Sequence, residues 1–133
     1  MAKTLAIVFG VVFVLVGILG FIDSPIAGSN GLFQTNTLHD IVHMLFGIIL
    51  LVVAFTASAS SAKWMKILGG VYLVLAVLGF LLIPEGGMLL GLVLMNTADH
   101  WLHVFLGVVL ILAGVVSDRS GSSNGMSMSS SSM

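Results

Sequence analysis

Hydrophobic residues fill four long stretches of this chain, and polar residues are largely confined to the shorter segments between and after them. The stretches cover residues 4–22, 37–57, 64–83 and 97–116. An α-helix of about twenty residues crosses the roughly 30 Å hydrocarbon core of a bilayer, because each residue rises about 1.5 Å. The pattern therefore predicts an all-α integral membrane protein with four spans, joined by loops at 23–36, 58–63 and 84–95.

Small residues recur at a seven-residue interval within every predicted span. The pairs are Gly10/Gly17, Gly47/Ala54, Gly69/Ala76 and Gly107/Gly114. Seven residues are about two helical turns, so each pair lies on one face, where small residues let two helix backbones approach closely in lipid. Short loops also make successive helices antiparallel neighbours. We therefore predict an up-down four-helix bundle of two tandem hairpins, with the first span retained rather than cleaved as a signal peptide.

The composition supports lipid as the solvent of this chain. Hydrophobic residues make up 59% of the sequence and charged residues 7%, whereas about a quarter of the residues in soluble domains are charged. The net charge of −1 offers no basic surface for nucleic acid. The absence of cysteine excludes disulfides and thiolate metal sites. Any bound metal or cofactor would therefore need imidazole, carboxylate, amide or thioether ligands.

The positions of the basic residues predict the orientation in the membrane. The complete set is Lys3, Lys63, Lys66 and Arg119. With an even number of spans, all of them fall on the same face as the two termini, and the positive-inside rule makes that face cytoplasmic. Residues 117–133 are rich in Ser, Gly and Met, which is typical of disorder. We predict a transmembrane domain over 1–116 and a disordered cytoplasmic tail over 117–133.

The polar residues inside the spans form an internal repeat. One copy begins span two with Asn36, His39, Asp40 and His43, and the other begins span four with Asn96, Asp99, His100 and His103. Ionisable side chains are costly within a membrane and usually mark a function. The predicted topology places both copies at the extracytoplasmic ends of their helices. A twofold relation between the hairpins would bring His43 and His103 towards each other.

A structural role for this repeat is the first of three interpretations. Asn36 and Asn96 stand where helix N-caps are expected, and histidines that bond across helices hold membrane bundles together. The members of this structural polar cluster would be Asn36, Asp40, Asn96 and His100. The protein would then be a scaffold or accessory subunit, either as a homo-oligomer or within a larger membrane complex.

A bound cofactor is the second interpretation. His43 and His103 would be the ligands of a haem or of a pigment such as chlorophyll. A metal ion would instead be bound by residues from both copies, namely His39, His43, Asp99 and His103.

A proton or ion path is the third interpretation. Such a path would stop halfway across the membrane, because the inner half of every span is apolar. The sequence offers no catalytic constellation, because the serines of the 58–61 turn lie on the opposite side of the membrane from every histidine. No enzyme activity is therefore predicted.

Three segments carry a resemblance to a known family. They are Gly-Leu-Phe-Gln-Thr-Asn-Thr-Leu-His-Asp-Ile-Val-His at 31–43, Asn-Thr-Ala-Asp-His-Trp-Leu-His at 96–103, and the apolar run at 10–21. Together they resemble a bacterial membrane family catalogued as a domain of unknown function (number four-three-eight-three), over about residues 4–116. The resemblance implies four helices in a bacterial inner membrane and no established activity. Asp40 and His100 stand where the family pattern has asparagine, so the resemblance assigns them no role.

Overall fold

Residues 1–131 are described by a computed structural model, and this part of the chain contains four α-helices. They are α1 (Ala2–Phe21), α2 (Thr37–Thr56), α3 (Ser61–Leu82) and α4 (Thr97–Ser131), with a 3-10 turn at Ser58–Ser60 between α2 and α3. Each helix contains a segment long and apolar enough to cross a membrane. The predicted all-α class is confirmed, and the chain is a small multi-pass membrane protein.

Contacts between glycine and backbone hold each hairpin together. A Cβ atom on Gly10 would lie 2.9 Å from the carbonyl oxygen of Gly47, and one on Gly47 would lie 2.6 Å from that of Gly10. In the second hairpin, Cβ atoms on Gly69 and Gly107 would lie 2.8 and 2.9 Å from each other's carbonyl oxygens. Such separations are too short for real side chains. The small residues therefore allow α1 to pack on α2, and α3 on α4, as their spacing predicts.

Large side chains fill the interface between the two hairpins. The rings of Phe13 on α1 and Tyr72 on α3 have centroids 5.3 Å apart. Leu50, Met65 and Leu110 are fully buried around them. The glycine contacts thus lie within each hairpin and the bulky residues lie between the hairpins, where two of the cavities are found.

The two longer loops form short strand pairs, although their composition predicts irregular structure. In the first loop β1 (Ala27–Gly28) pairs in parallel with β2 (Phe33–Gln34). In the second, β3 (Gly87–Leu89) pairs antiparallel with β4 (Val93–Met95). The pairing satisfies backbone groups that would otherwise lack partners near the membrane. It also holds both loops over the ends of α2 and α4 that carry the polar repeat.

The end of α4 differs from the prediction of a disordered tail over 117–133. The helix continues to Ser131, whereas residues 132 and 133 lie outside the described part of the chain. Asp118 on α4 pairs with Lys66 on α3, so the helix still packs on its hairpin partner beyond the predicted end of the span. The hydroxyls of Ser120 and Ser123 donate to the carbonyls of Val116 and Ser120, within the helix itself. The cytoplasmic location of this segment stays a prediction.

Candidate metal centre

Two asparagines cap α2 and α4 and also join the two halves of the bundle. Asn36 Oδ1 and Asn96 Oδ1 each accept a hydrogen bond from the backbone N–H three residues further on, at 3.1 and 3.0 Å. Their side-chain amides donate to carbonyl oxygens of the opposite loop, at Leu92 and Leu32 respectively, both at 2.9 Å. This reciprocal pair of bonds relates the two copies of the polar repeat by an approximate twofold axis.

Asp40 and His100 occupy equivalent positions within their hairpins. Each packs against a glycine of the preceding helix, Asp40 on Gly20 and His100 on Gly79. A Cβ atom on Gly79 would lie only 2.5 Å from His100 Nδ1. The other ring nitrogen of His100, Nε2, bonds the carbonyl oxygen of Ile83 at 2.9 Å. A carbonyl can only accept, so Nε2 is assigned the hydrogen.

The face occupied by the polar residues differs from the one that their four-residue spacing suggests. His39, His43 and Gly47 are four residues apart, a spacing that suggests one shared face in line with the small residues. Four residues turn an α-helix about 40° past a full turn, whereas seven end only about 20° short of two turns. Asp40, seven residues from Gly47, therefore continues the small-residue face towards α1, and the histidines rotate towards the other hairpin.

Three histidines meet between the hairpins. His39, His43 and His103 are each at most 4% exposed, and one ring nitrogen of each lies within 4.8 Å of those of the other two. His39 Nε2 and His43 Nε2 are 3.2 Å apart. The rings of His43 and His103 stack with centroids 6.1 Å apart and an interplanar angle of 15°. The structure thus brings together the equivalent histidines of the repeat and adds His39. We call this group the three-histidine cluster.

Hydrogen bonds at the edge of the cluster orient two of its rings. His39 Nδ1 lies 2.8 Å from the carbonyl oxygen of Leu94, so Nδ1 is assigned the hydrogen and Nε2 keeps a lone pair directed into the cluster. His43 Nδ1 lies 3.3 Å from the hydroxyl of Tyr72. A phenol can donate or accept, which lets His43 carry its hydrogen on either nitrogen. His43 Nε2 can therefore either donate to His39 or offer a lone pair of its own.

His103 is the least satisfied member of the cluster. Its Nδ1 atom is buried and, like Nδ1 of His100 outside the cluster, makes no hydrogen bond within the described residues. A buried polar atom without a partner costs about 1–3 kcal/mol and calls for a specific explanation. An ion held by the cluster would supply His103 with a partner that the described protein groups do not.

Asp99, the fourth residue predicted as a metal ligand, lies outside the three-histidine cluster. Its Oδ2 atom accepts hydrogen bonds from the backbone N–H groups of Asn96 and Gln34, at 2.7 and 3.0 Å. The bond from Asn96 completes a reciprocal capping box, since the side chain of Asn96 bonds the N–H of Asp99 in return. In these positions Asp99 fixes the start of α4 and ties it to the first loop.

Tyr72 belongs to the site although the sequence interpretation did not select it. It is the only tyrosine of the chain, and its ring stacks on that of His103 with centroids 5.2 Å apart. When the first and third spans are aligned at Gly10/Gly69 and Gly20/Gly79, Tyr72 falls opposite Phe13. Tyr72 has a hydroxyl where the equivalent Phe13 has none. This difference between the two repeats is the sequence feature that could have identified Tyr72 as part of the site.

Two cavities flank the cluster, one on each side of the twofold axis. The larger, about 250 Å³, lies between α2 and α3 and is lined by all three histidines and Tyr72 together with apolar side chains. The smaller, about 170 Å³, lies between α1 and α4 and is lined by His43 but by neither of the other two. The two sides of the cluster are therefore chemically different, despite the repeat.

A comparison of the chain with known families agrees with the resemblance carried by its motifs. The chain belongs to the family described as Domain of unknown function (DUF4383), whose model matches residues 3–116. No curated protein and no solved structure matches the chain.

Proposed function

We propose that this member of the family is a small membrane protein that binds one transition-metal ion in its three-histidine cluster. The observation that carries the proposal is the convergence of His39, His43 and His103, all buried, with ring nitrogens within 4.8 Å of one another. Burying three imidazoles together in a membrane has a cost that coordination of a metal would offset. In keeping with the positive-inside rule, we place the cluster near the outer face of a bacterial inner membrane.

The distances are close to those of a tetrahedral site. Zinc lies about 2.0–2.1 Å from imidazole nitrogen, so two ligand nitrogens in a tetrahedral site are roughly 3.4 Å apart. His39 Nε2 and His43 Nε2 are 3.2 Å apart and need little change. The widest separation in the group is up to 4.8 Å, so a tetrahedral site requires a ring movement of roughly 1.4 Å. The side chain of His103 can make this movement without breaking a hydrogen bond to the described residues.

The ligand type favours a first-row transition metal such as zinc or copper. Neutral imidazole suits Zn, Cu, Fe and Ni, whereas Mg, Ca and Mn prefer oxygen ligands. The bond from His39 Nδ1 to the Leu94 carbonyl is the outer-shell contact that metal-bound histidines usually make. A haem or chlorophyll fits less well, because its macrocycle must lie beside or between the imidazoles. The ligands expected for it, His43 and His103, have ring centroids 6.1 Å apart, and the larger cavity beside them, about 250 Å³, is smaller than the roughly 300–1,000 Å³ of pockets for drug-sized ligands.

The scaffold or accessory role is the second candidate, and one observation favours it. His39, His43 and Tyr72 already form a chain of side-chain contacts that joins α2 to α3. Interhelical bonds of this kind contribute about 0.6 kcal/mol each in membrane proteins. The outward faces of the helices are rich in Val, Leu and Ile, which fits a lipid environment and equally a second copy or a larger complex. A scaffold of this kind needs no metal.

Metal titration distinguishes the two candidates. The protein is purified in mild detergent without a histidine tag, stripped with chelator, and titrated with Zn²⁺ by calorimetry. We expect one ion per chain for the wild type, and at least about a hundredfold weaker binding for His103→Asn because one of three ligands is lost. His100→Asn is the matched control, since His100 is equally buried on the same helix but lies outside the cluster. It should bind one ion as tightly as the wild type.

Two results would contradict the metal proposal. One is the absence of stoichiometric Zn²⁺ or Cu²⁺ binding by a folded wild-type protein. The other is an equal effect of His103→Asn and His100→Asn on affinity. Either result would support the scaffold role, in which the histidines serve only as interhelical contacts. The scaffold role predicts that His43→Asn lowers the unfolding temperature and leaves the metal content unchanged.

A further inference from the structure

The larger cavity beside the three-histidine cluster distinguishes one side of the proposed metal from the other. All three histidines line this cavity, and Tyr72 closes it next to them. Structural zinc sites have four protein ligands, whereas sites with three protein ligands keep a position for an exchangeable molecule. Within the described residues the metal-ligand group contains three members only, because the Asp99 carboxylate is held by the backbone N–H groups of Asn96 and Gln34.

The walls of this cavity restrict what could occupy the open position. Apart from the histidines and Tyr72, the lining residues are apolar, among them Phe46, Val71 and Leu75. A charged molecule would lose its hydration there without compensation. The volume of about 250 Å³ lies just below the roughly 300–1,000 Å³ of pockets for drug-sized ligands. Val71 at the rim is 37% exposed on the outside of the bundle, so the approach is from the lipid side.

We propose that the metal held by His39, His43 and His103 carries an exchangeable fourth ligand in the cavity between α2 and α3. The ligand is a small uncharged molecule with an apolar body and one nitrogen or oxygen donor atom, taken from the bilayer. This inference rests on the proposed metal function and extends it from holding a metal to presenting that metal to a second molecule. The cavity between α1 and α4 has no such role, because neither His39 nor His103 lines it.

The repeat supplies a matched pair of variants for a test. Leu75 lines the cavity between α2 and α3, and Val16, its equivalent in the first hairpin, lines the cavity between α1 and α4. Leu75→Trp fills the proposed ligand cavity without removing a histidine. Val16→Trp introduces the same bulk on the other side of the cluster. Both changes lie in a helix, and neither alters the charge of the protein.

The experiment uses protein loaded with Co²⁺, whose visible absorption bands report its coordination, and titrates it with imidazole and with 4-phenylimidazole. We expect both ligands to shift the bands of the wild type. The phenyl compound should bind at least about tenfold more tightly, because its ring is buried against apolar walls. Leu75→Trp should keep its cobalt bands and lose the response to 4-phenylimidazole, and Val16→Trp should respond as the wild type does.

The outcomes separate this inference from the proposed function. If the wild type shows cobalt bands that neither ligand shifts, the metal site stands and the open position is refuted. If 4-phenylimidazole shifts the cobalt bands of both tryptophan variants equally, the cavity between α2 and α3 is not the binding site and the inference is again wrong. An absence of cobalt bands in the folded wild type would contradict the metal function itself. Should Leu75→Trp fail to fold, Val71→Phe fills the same cavity from its rim and decides the question.

Discussion

Two adjacent glycines in α3 allow the packing of the second hairpin to be tested with a built-in control. A Cβ atom on Gly69 would lie 2.8 Å from both the carbonyl oxygen of Gly107 and Cγ1 of Ile111, whereas one on Gly70 would meet nothing within 4 Å. Carbon atoms pack at about 3.5–4.0 Å. Alanine at Gly69 would therefore push α3 and α4 apart by roughly 0.7 Å or more, and alanine at Gly70 would move nothing.

The expected difference between the two variants follows from these contacts. Both substitutions gain about 0.8–1.0 kcal/mol of helix propensity, so this contribution cancels in the comparison. Gly69→Ala alone incurs the overpacking cost of about 1–3 kcal/mol. At about 4 °C per kcal/mol for a chain of this size, Gly69→Ala should unfold roughly 4–12 °C below Gly70→Ala.

Thermal unfolding in mild detergent, followed by tryptophan fluorescence, measures this difference. Trp64 and Trp101 lie on α3 and α4, the two helices that the substitution would separate. Wild-type protein in the same detergent should unfold about 3–4 °C below Gly70→Ala, at or above the temperature of Gly69→Ala. A gap below about 2 °C, or a Gly69→Ala variant that is the more stable of the two, would show that the glycine contacts do not hold this hairpin together.

Three further predictions concern the site and the orientation. Tyr72→Phe removes the hydroxyl partner of His43 and should weaken Zn²⁺ binding about 10- to 100-fold in a calorimetric titration; unchanged affinity would refute the orienting role. Asn96→Ala removes a helix cap and a hydrogen bond to the first loop and should lower the free energy of unfolding by about 1–2 kcal/mol. The control Asn30→Ala, at an exposed loop position, should change this free energy little. A cysteine at Asn30 should react with a membrane-impermeant maleimide in intact cells and one at Ala59 should not; the reverse pattern would overturn the topology.

The helices and their pairing could be predicted because they depend on local patterns. Apolar runs of about twenty residues set the four spans, and the seven-residue spacing of Gly10/Gly17 and Gly107/Gly114 gave the faces that pack within each hairpin. The approach of His43 and His103 was predicted from the repeat, because equivalent residues on the inward faces of two hairpins related by a twofold axis lie near that axis.

The details of the site depended on contacts that span the sequence. Asp99 was predicted as a metal ligand, yet the spacing of Asn96 and Asp99 is that of a capping box, and the structure shows the carboxylate in that role. The bonds of Asn36 and Asn96 to the opposite loops, and the contact of Tyr72 with His43, join residues about thirty to sixty positions apart. No local pattern indicates such contacts, because they arise only once both hairpins have packed.

The central claim is that three imidazoles from two hairpins bind one metal ion, and X-ray absorption at the zinc K-edge tests it most directly. Protein loaded with one equivalent of Zn²⁺ should show three imidazole ligands at about 2.0–2.1 Å and one further nitrogen or oxygen donor, with one imidazole fewer in His103→Asn. A wild-type spectrum with oxygen ligands only, or one that His103→Asn leaves unchanged, would contradict the account and place the zinc elsewhere on the protein.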